Sequence, residues 1–194
     1  MYPCSPYINH NRGNRFYNEL LPPDTIGVND MYYRNSLDYL KENKLILMRG
    51  KPIIPWKVWI PLKKYKGDYY VYRPCDGIFH FAQSINDTTF IDWTVEGPTG
   101  HQIQSFFKTE NNIYVFELNN MQRFLFIHII DHERGIAIFE DTNDRRGNKY
   151  HLMIAAEKMR SVPIIVNYCP LQKQRELQFE APDFESLLKS TPKK

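Results

Sequence analysis

From residue 56 to residue 168 the chain repeats one pattern: a short run rich in Val, Ile, Tyr, Phe and Trp, then a cluster of Gly, Asn, Asp or Pro, at intervals of about 10–12 residues. The runs fall at 56–60, 68–73, 78–83, 89–96, 102–108, 113–118, 123–130, 135–140, 149–155 and 164–168. Parallel βαβ units need a helical pattern between successive strands, and the intervals here are too short to hold one. The linkers at 65–67, 74–77, 97–100, 110–112, 119–120, 132–135 and 142–148 carry turn chemistry, with Gly and Asn for positive φ and Pro for a preset φ. Such connectors make hairpins, so the order expected is an antiparallel meander.

A long meander must hide its edges, by closing or by folding into two layers. The fold predicted is therefore mainly β, a meander of about 8–10 strands forming a barrel or strongly curved sheet, with short helices near both termini. The whole chain, 194 residues, reads as a single domain. Residues 1–35 form an irregular, proline-interrupted arm, 36–48 a short helix from an N-cap at Ser36 plus an apolar run, and 171–194 a tail. In that tail Phe184, Leu187 and Leu188 share one helical face that can dock on the body. Runs 113–118 and 124–130 are apolar on both faces, so both must be covered: by the arm, by the tail or by a second subunit. The rhythm resembles that of lipocalins and other calycin barrels. The likeness is one of rhythm only, because Trp56-Lys57-Val58-Trp59 lacks the glycine of the G-x-W signature.

Twenty-five Lys and Arg stand against 22 Asp and Glu, a net charge of +3, and they are dispersed, with acids beside the densest basic groups. That is a solvated mixed-charge surface and not a phosphate-binding face, so nucleic acid is not expected as a partner. No apolar run reaches the roughly 18 residues of a membrane helix, and no membrane span is expected. Residues 1–15 lack a secretory core, which implies a cytoplasmic protein if the sequence is complete and an exported one if a signal peptide has been removed. Cys4, Cys75 and Cys169 fit neither a disulfide framework nor a zinc pattern, and free, partly buried thiols are expected; an exported chain would allow a Cys75–Cys169 bridge.

The phosphate-loop, dinucleotide, nucleophile-elbow and zincin motifs are all missing from the sequence. His128, Asp131, His132 and Glu133 lie close in sequence, but strand alternation separates His128 from Asp131, so they read as a polar turn after a buried strand. Asp92 and Glu96 lie about 13 Å apart along a strand, too far for a carboxylate pair. With Ile91, Trp93 and Val95 taken as the core face, the two acids fall on the solvent side. No metal and no cofactor are expected.

The remaining candidates are aromatic. Trp59, Tyr70, Tyr72, Phe79, Phe81 and Trp93, with His80 and His128, could line the interior of a barrel. The function this implies is non-catalytic binding of a small apolar or aromatic ligand. The alternative is a protein-interaction or structural module that meets a partner or a second copy through strand edges or the Tyr-rich N-terminal arm. An enzyme built on a cross-strand His and carboxylate pair ranks third.

Overall fold

A computed structural model describes residues 5–22, 31–42, 54–86, 88–111, 113–118, 123–143, 149–169 and 174–189. In chain order the elements are β1 (Tyr7–Asn9), a 3-10 helix (Arg15–Leu20), α1 (Met31–Glu42), β2 (Val58–Tyr65), β3 (Asp68–Arg73) and a 3-10 turn (Gly77–Phe79). There follow β4 (Ala82–Ile85), β5 (Thr89–Thr94), β6 (Gly97–Lys108), β7 (Ile113–Leu118), β8 (Arg123–Asp131), β9 (Ile136–Asp141) and β10 (Tyr150–Ala155). A 3-10 helix (Ala156–Ser161), β11 (Ile164–Val166) and α2 (Phe184–Lys189) complete the described elements.

Strands β4 to β10 form the expected meander, and β2 closes it into an eight-stranded antiparallel barrel. Trp59 marks the seam, paired with Ala155 of β10 on one side and Gln83 of β4 on the other. The second half of β2 leaves the barrel and pairs with β3, which is followed outward by β11 and β1. The run at 164–168 therefore does not continue the meander: β11 lies parallel to β3, in a second sheet outside the barrel. Register shifts between Ile103 and Ser105 and between Ile129 and Asp131 bend β6 and β8, as closure requires.

The barrel interior is filled around Trp59, Phe90, Phe116, Leu125, Ile127, Phe139 and Met153, all buried. Part of the outside is apolar as well. Ile60, Ile136, Ile138, Leu152 and Ile154 face outward and form a second core with Phe16, Tyr17 and Leu20 of the arm and with Val71, Ile164 and Val166 of the outer sheet. Phe184, Leu187 and Leu188 of α2 pack on this core, with Phe184 stacked on Tyr150 at 5.3 Å. Both ends of the chain thus cover the outer faces of β2, β9 and β10, while of the two runs read as two-sided only Ile130 joins this core. No helix among the described residues is long and apolar enough to cross a membrane.

Several expectations need correction. The arm is not irregular throughout, since it contributes β1, a 3-10 helix capped by Asn14 (Phe16 N–H to Asn14 Oδ1, 2.9 Å) and the first residues of α1. Ser36 is inside α1 and not at its N-terminus, because the helical residues begin at Met31. The apolar run expected at 45–48 lies outside the described residues. Gly77–Phe79 is a turn and not strand, because Asp76 Oδ1 accepts the Ile78 N–H at 3.2 Å and diverts the backbone before β4. Gly97 to Gly100, read as a linker, is strand, paired with β5 from Gly97↔Thr94 to Gly100↔Ile91. Cys75 and Cys169 are not free thiols; they form a disulfide with a Cα–Cα distance of 5.5 Å across 94 residues of sequence. The fold brings them together by laying β11 beside β3, a juxtaposition that spacing alone does not reveal. A bridge closing so long a loop stabilises by about 2–4 kcal/mol.

Two glycines separate backbone from packing effects. Gly67, at the β2–β3 hairpin, has φ 85° and no atom within 4 Å of an added Cβ. Gly135, between β8 and β9, has φ 65°, and its Cβ would meet Lys158 Cγ at 2.8 Å and Ala155 Cβ at 3.1 Å. Gly67→Ala should cost about 1–2 kcal/mol in urea unfolding, the left-handed backbone term alone. Gly135→Ala should cost clearly more; equal losses would contradict the close approach of the Ala156–Ser161 helix to this turn.

Candidate binding site at the barrel mouth

One end of the barrel interior is polar, and strand parity puts the charges there. Asp92 shares the inward face of β5 with Phe90, Arg123 that of β8 with Leu125 and Ile127, and Asp141 that of β9 with Ala137 and Phe139. Cross-strand pairing gathers them: Gln83 faces Asp92, Phe90 faces His101, and Leu125 faces Asp141. Asp92 is thus not on the solvent side, which corrects the expectation from sequence. Its neighbours Ile91 and Trp93 point outward, where Leu21, Pro22 and Met159 of the flanking segments face them.

Arg123 is the hub. Its Nε donates to Asp141 Oδ1 at 2.9 Å and Oδ2 at 3.0 Å, Nη2 also donates to Asp141, and Nη1 donates to Asp92 Oδ2 at 2.8 Å. Its guanidinium stands 5.1 Å from the Phe90 ring centroid. His101 Nε2 lies 3.0 Å from Arg123 Nη1 and 3.2 Å from Asp92 Oδ2, so it accepts from the first or donates to the second according to its protonation. Gln83 Nε2 donates to Asp92 Oδ1 at 2.9 Å, while Gln83 Oε1 is buried with no hydrogen-bond partner among the described residues. The Asp141 side chain is fully buried, Arg123 6% exposed and Asp92 17% exposed. Burial alone would raise the Asp92 pKa, but the His101 hydrogen bond and the Arg123 charge outweigh it and hold the carboxyl well below its usual range. For Arg123, burial is likewise overcome by Asp141 and Asp92, and the guanidinium is held charged.

Over this cluster lies a cavity of about 470 Å³. Its floor is Asp92, His101 and Arg123, and one wall is apolar, from Ile78, Phe81 and Val95. His80 and Phe81 are the two sequence candidates that the structure brings together here. His80 Nε2 is 2.9 Å from the Leu20 carbonyl oxygen, and burial lowers its pKa. Phe81 also packs edge-on against His151 at 5.3 Å.

The other candidates lie elsewhere. Trp59 fills the middle of the barrel, edge-on to Phe139 at 5.1 Å. Trp93 is on the outer face, its Nε1 donating to Ser84 Oγ at 2.8 Å. Tyr70 and Tyr72 belong to the outer sheet and pack with Ile165 and Phe179. The Tyr72 hydroxyl donates to Glu176, and burial together with that carboxylate pushes its pKa up to about 12. Phe79 is 54% exposed on the 3-10 turn. His128 faces outward to Glu140 (Nε2 to Oε2, 3.2 Å), and burial lowers its pKa. Its sequence neighbours disperse as expected: Asp131 binds Arg134, and His132 packs on Trp56 at 5.1 Å. No group of three or more His, Cys, Asp or Glu is placed to hold a metal ion among the described residues.

Sequence reading missed Arg123, Asp141 and His101 as site residues and turned Asp92 the wrong way. Alternation held no clear signal: Asp92 lies opposite the more apolar face of its strand, Asp141 shares its face with Phe139 against Ile136 and Ile138, and the strand of Arg123 is apolar on both faces. No protein-family model matches this chain, nor does any curated protein or solved structure.

The depressed Asp92 pKa fixes a pH dependence. A carboxyl whose folded pKa lies below its unfolded value of about 3.9 contributes stability that is present above about pH 4 and lost as pH falls through the folded value. Asp92→Asn should therefore be less stable than the parent at pH 7, by about 3 kcal/mol, with the gap shrinking below about pH 4. Urea titrations at pH 7, 5 and 3 check this, and a gap that persists undiminished at pH 3 would refute it.

Proposed function

We propose that this barrel is a non-catalytic binding protein that takes a small, largely apolar molecule at its mouth, above the Arg123 cluster. The observation carrying this reading is the 470 Å³ cavity, which joins an apolar wall to a few convergent buried polar groups. Small-molecule sites have this build, at volumes of roughly 300–1,000 Å³. The deeper barrel is filled by side chains, so a ligand of this kind sits above the core and not within it.

The electrostatics favour binding over catalysis. A general base works best with a pKa near the operating pH, and Asp92 is held far below it. The His101 Nε2 is committed to the same cluster. The Cys75–Cys169 bridge suits a protein working in an oxidising compartment. A second reading, docking of a protein partner, is favoured by the rim, where Ile78, Phe79 and Val95 are 60%, 54% and 62% exposed.

The neutral fluorophore N-phenyl-1-naphthylamine separates the two. The binding reading expects saturable one-to-one fluorescence enhancement, abolished by Thr94→Trp, which fills the mouth, and little changed by Phe79→Ser on the rim. Enhancement that is absent, or that ignores Thr94→Trp, would overturn it and leave the rim as a partner surface.

A further inference from the structure

We propose that the mouth cavity selects a small organic amine in its cationic form, with the ammonium against Asp92 and the apolar body against Phe81, Ile78 and Val95. The inference rests on the binding reading above and adds the chemical class of the ligand.

The first argument is charge. Asp92 and Glu96 line the cavity, and Asp141 stands directly behind Arg123, the one cation among the lining Lys and Arg positions. Three carboxylates thus stand against one guanidinium, and the balance stays negative whether or not His101 carries a proton. A ligand carboxylate would meet this surplus in a partly desolvated space, where like charges repel strongly.

The second argument is the hydrogen-bond inventory. The guanidinium is largely committed: Nε and one Nη2 N–H face Asp141, and Nη1 donates to Asp92 and, where His101 Nε2 accepts, to His101, which leaves one Nη2 N–H of its five donors. The acceptors are in excess. A carboxylate has about four acceptor sites. Asp92 uses them for Gln83, Arg123 and, where His101 Nε2 donates, His101, so at least one remains on the group that floors the cavity. Gln83 Oε1, on the amide that donates to Asp92, is a buried acceptor with no hydrogen-bond partner among the described residues. An ammonium brings three donors and no acceptor, the complement of what the site lacks. The apolar wall then selects for a hydrocarbon body over a bare cation, and the Phe81 ring adds a face that attracts positive charge.

Three near-isosteres isolate the head group: phenethylamine, phenethyl alcohol and 3-phenylpropionate, titrated calorimetrically into the full chain at pH 7. The amine should bind at least about tenfold more tightly than the alcohol, with the carboxylate weakest. Asp92→Asn should erase the preference for amine over alcohol, read as the ratio of the two affinities in the same variant. Should that variant fail to fold, Glu96→Gln, at the exposed hairpin tip, should still narrow the preference about twofold. Thr94→Trp should abolish binding of all three. Alcohol or carboxylate binding as tightly as the amine, still blocked by Thr94→Trp, would overturn the inference and leave the binding reading standing. No binding by any of the three would overturn the inference, and if N-phenyl-1-naphthylamine also failed to bind, the reading beneath it would fall too.

Discussion

β2 hydrogen-bonds to β10 on one side and to β4 on the other, and this double pairing turns a meander into a closed barrel. Everything at the mouth depends on it. Gln83 is held against Asp92 only because β4 is fixed to both β2 and β5, and Asp92 in turn is held where Arg123 and His101 reach it. Trp59 occupies the seam and contributes the largest side chain of the inner core, so closure and packing are specified by the same residue.

The buried ion cluster has an energetic logic of its own. Removing charges from water costs several kcal/mol per ion, and the attraction between them offsets this only if the geometry is good and the remaining donors and acceptors are satisfied. Arg123 gains most of this through paired bonds to Asp141, and Asp92 through Arg123, His101 and Gln83, which leaves Asp92 an acceptor site open toward the mouth. A hydrophobic cluster of equal volume would cost less to bury. Retaining charge at one end of an otherwise apolar interior divides the barrel into a sealed core and a chemically distinct mouth.

Much of this was legible from the residues, and the failures have one physical source. The strand class and the antiparallel meander follow from alternation and turn chemistry, whereas the cover from Phe16, Tyr17, Phe184 and Leu188 lies over β2, β9 and β10, and of the runs 113–118 and 124–130 only Ile130 meets it. The same reasoning misplaced Asp92, because it equates the apolar face with the inside. Where 3-10 segments cover the outer face of β5, Ile91 and Trp93 are apolar and still outside. The aromatic candidates scattered for a related reason: one chain builds three cores, and ring content does not say which core a ring joins. Tyr70 and Tyr72 joined the outer sheet when β2 bent away from the barrel, a change of partner written in no single residue. The disulfide was hidden likewise, since the parallel pairing of β11 with β3 joins segments far apart in sequence.

Closure also relocates a hazard. An open sheet offers two rows of unpaired amides and carbonyls as a template for another chain. Each of the eight barrel strands pairs on both sides, leaving overhangs such as residues 105–108 of β6, which pair with β7 alone, and the outer sheet runs into the barrel through β2 at one side. Among the described strands the free outer strand is β1, three residues long, and the β6 overhang is four residues, both too short to recruit a neighbour into an extended fibre. Self-association by strand addition is thereby limited to brief contacts, and a protein this rich in tyrosine and phenylalanine keeps its rings out of intermolecular sheets by topology and not by charge.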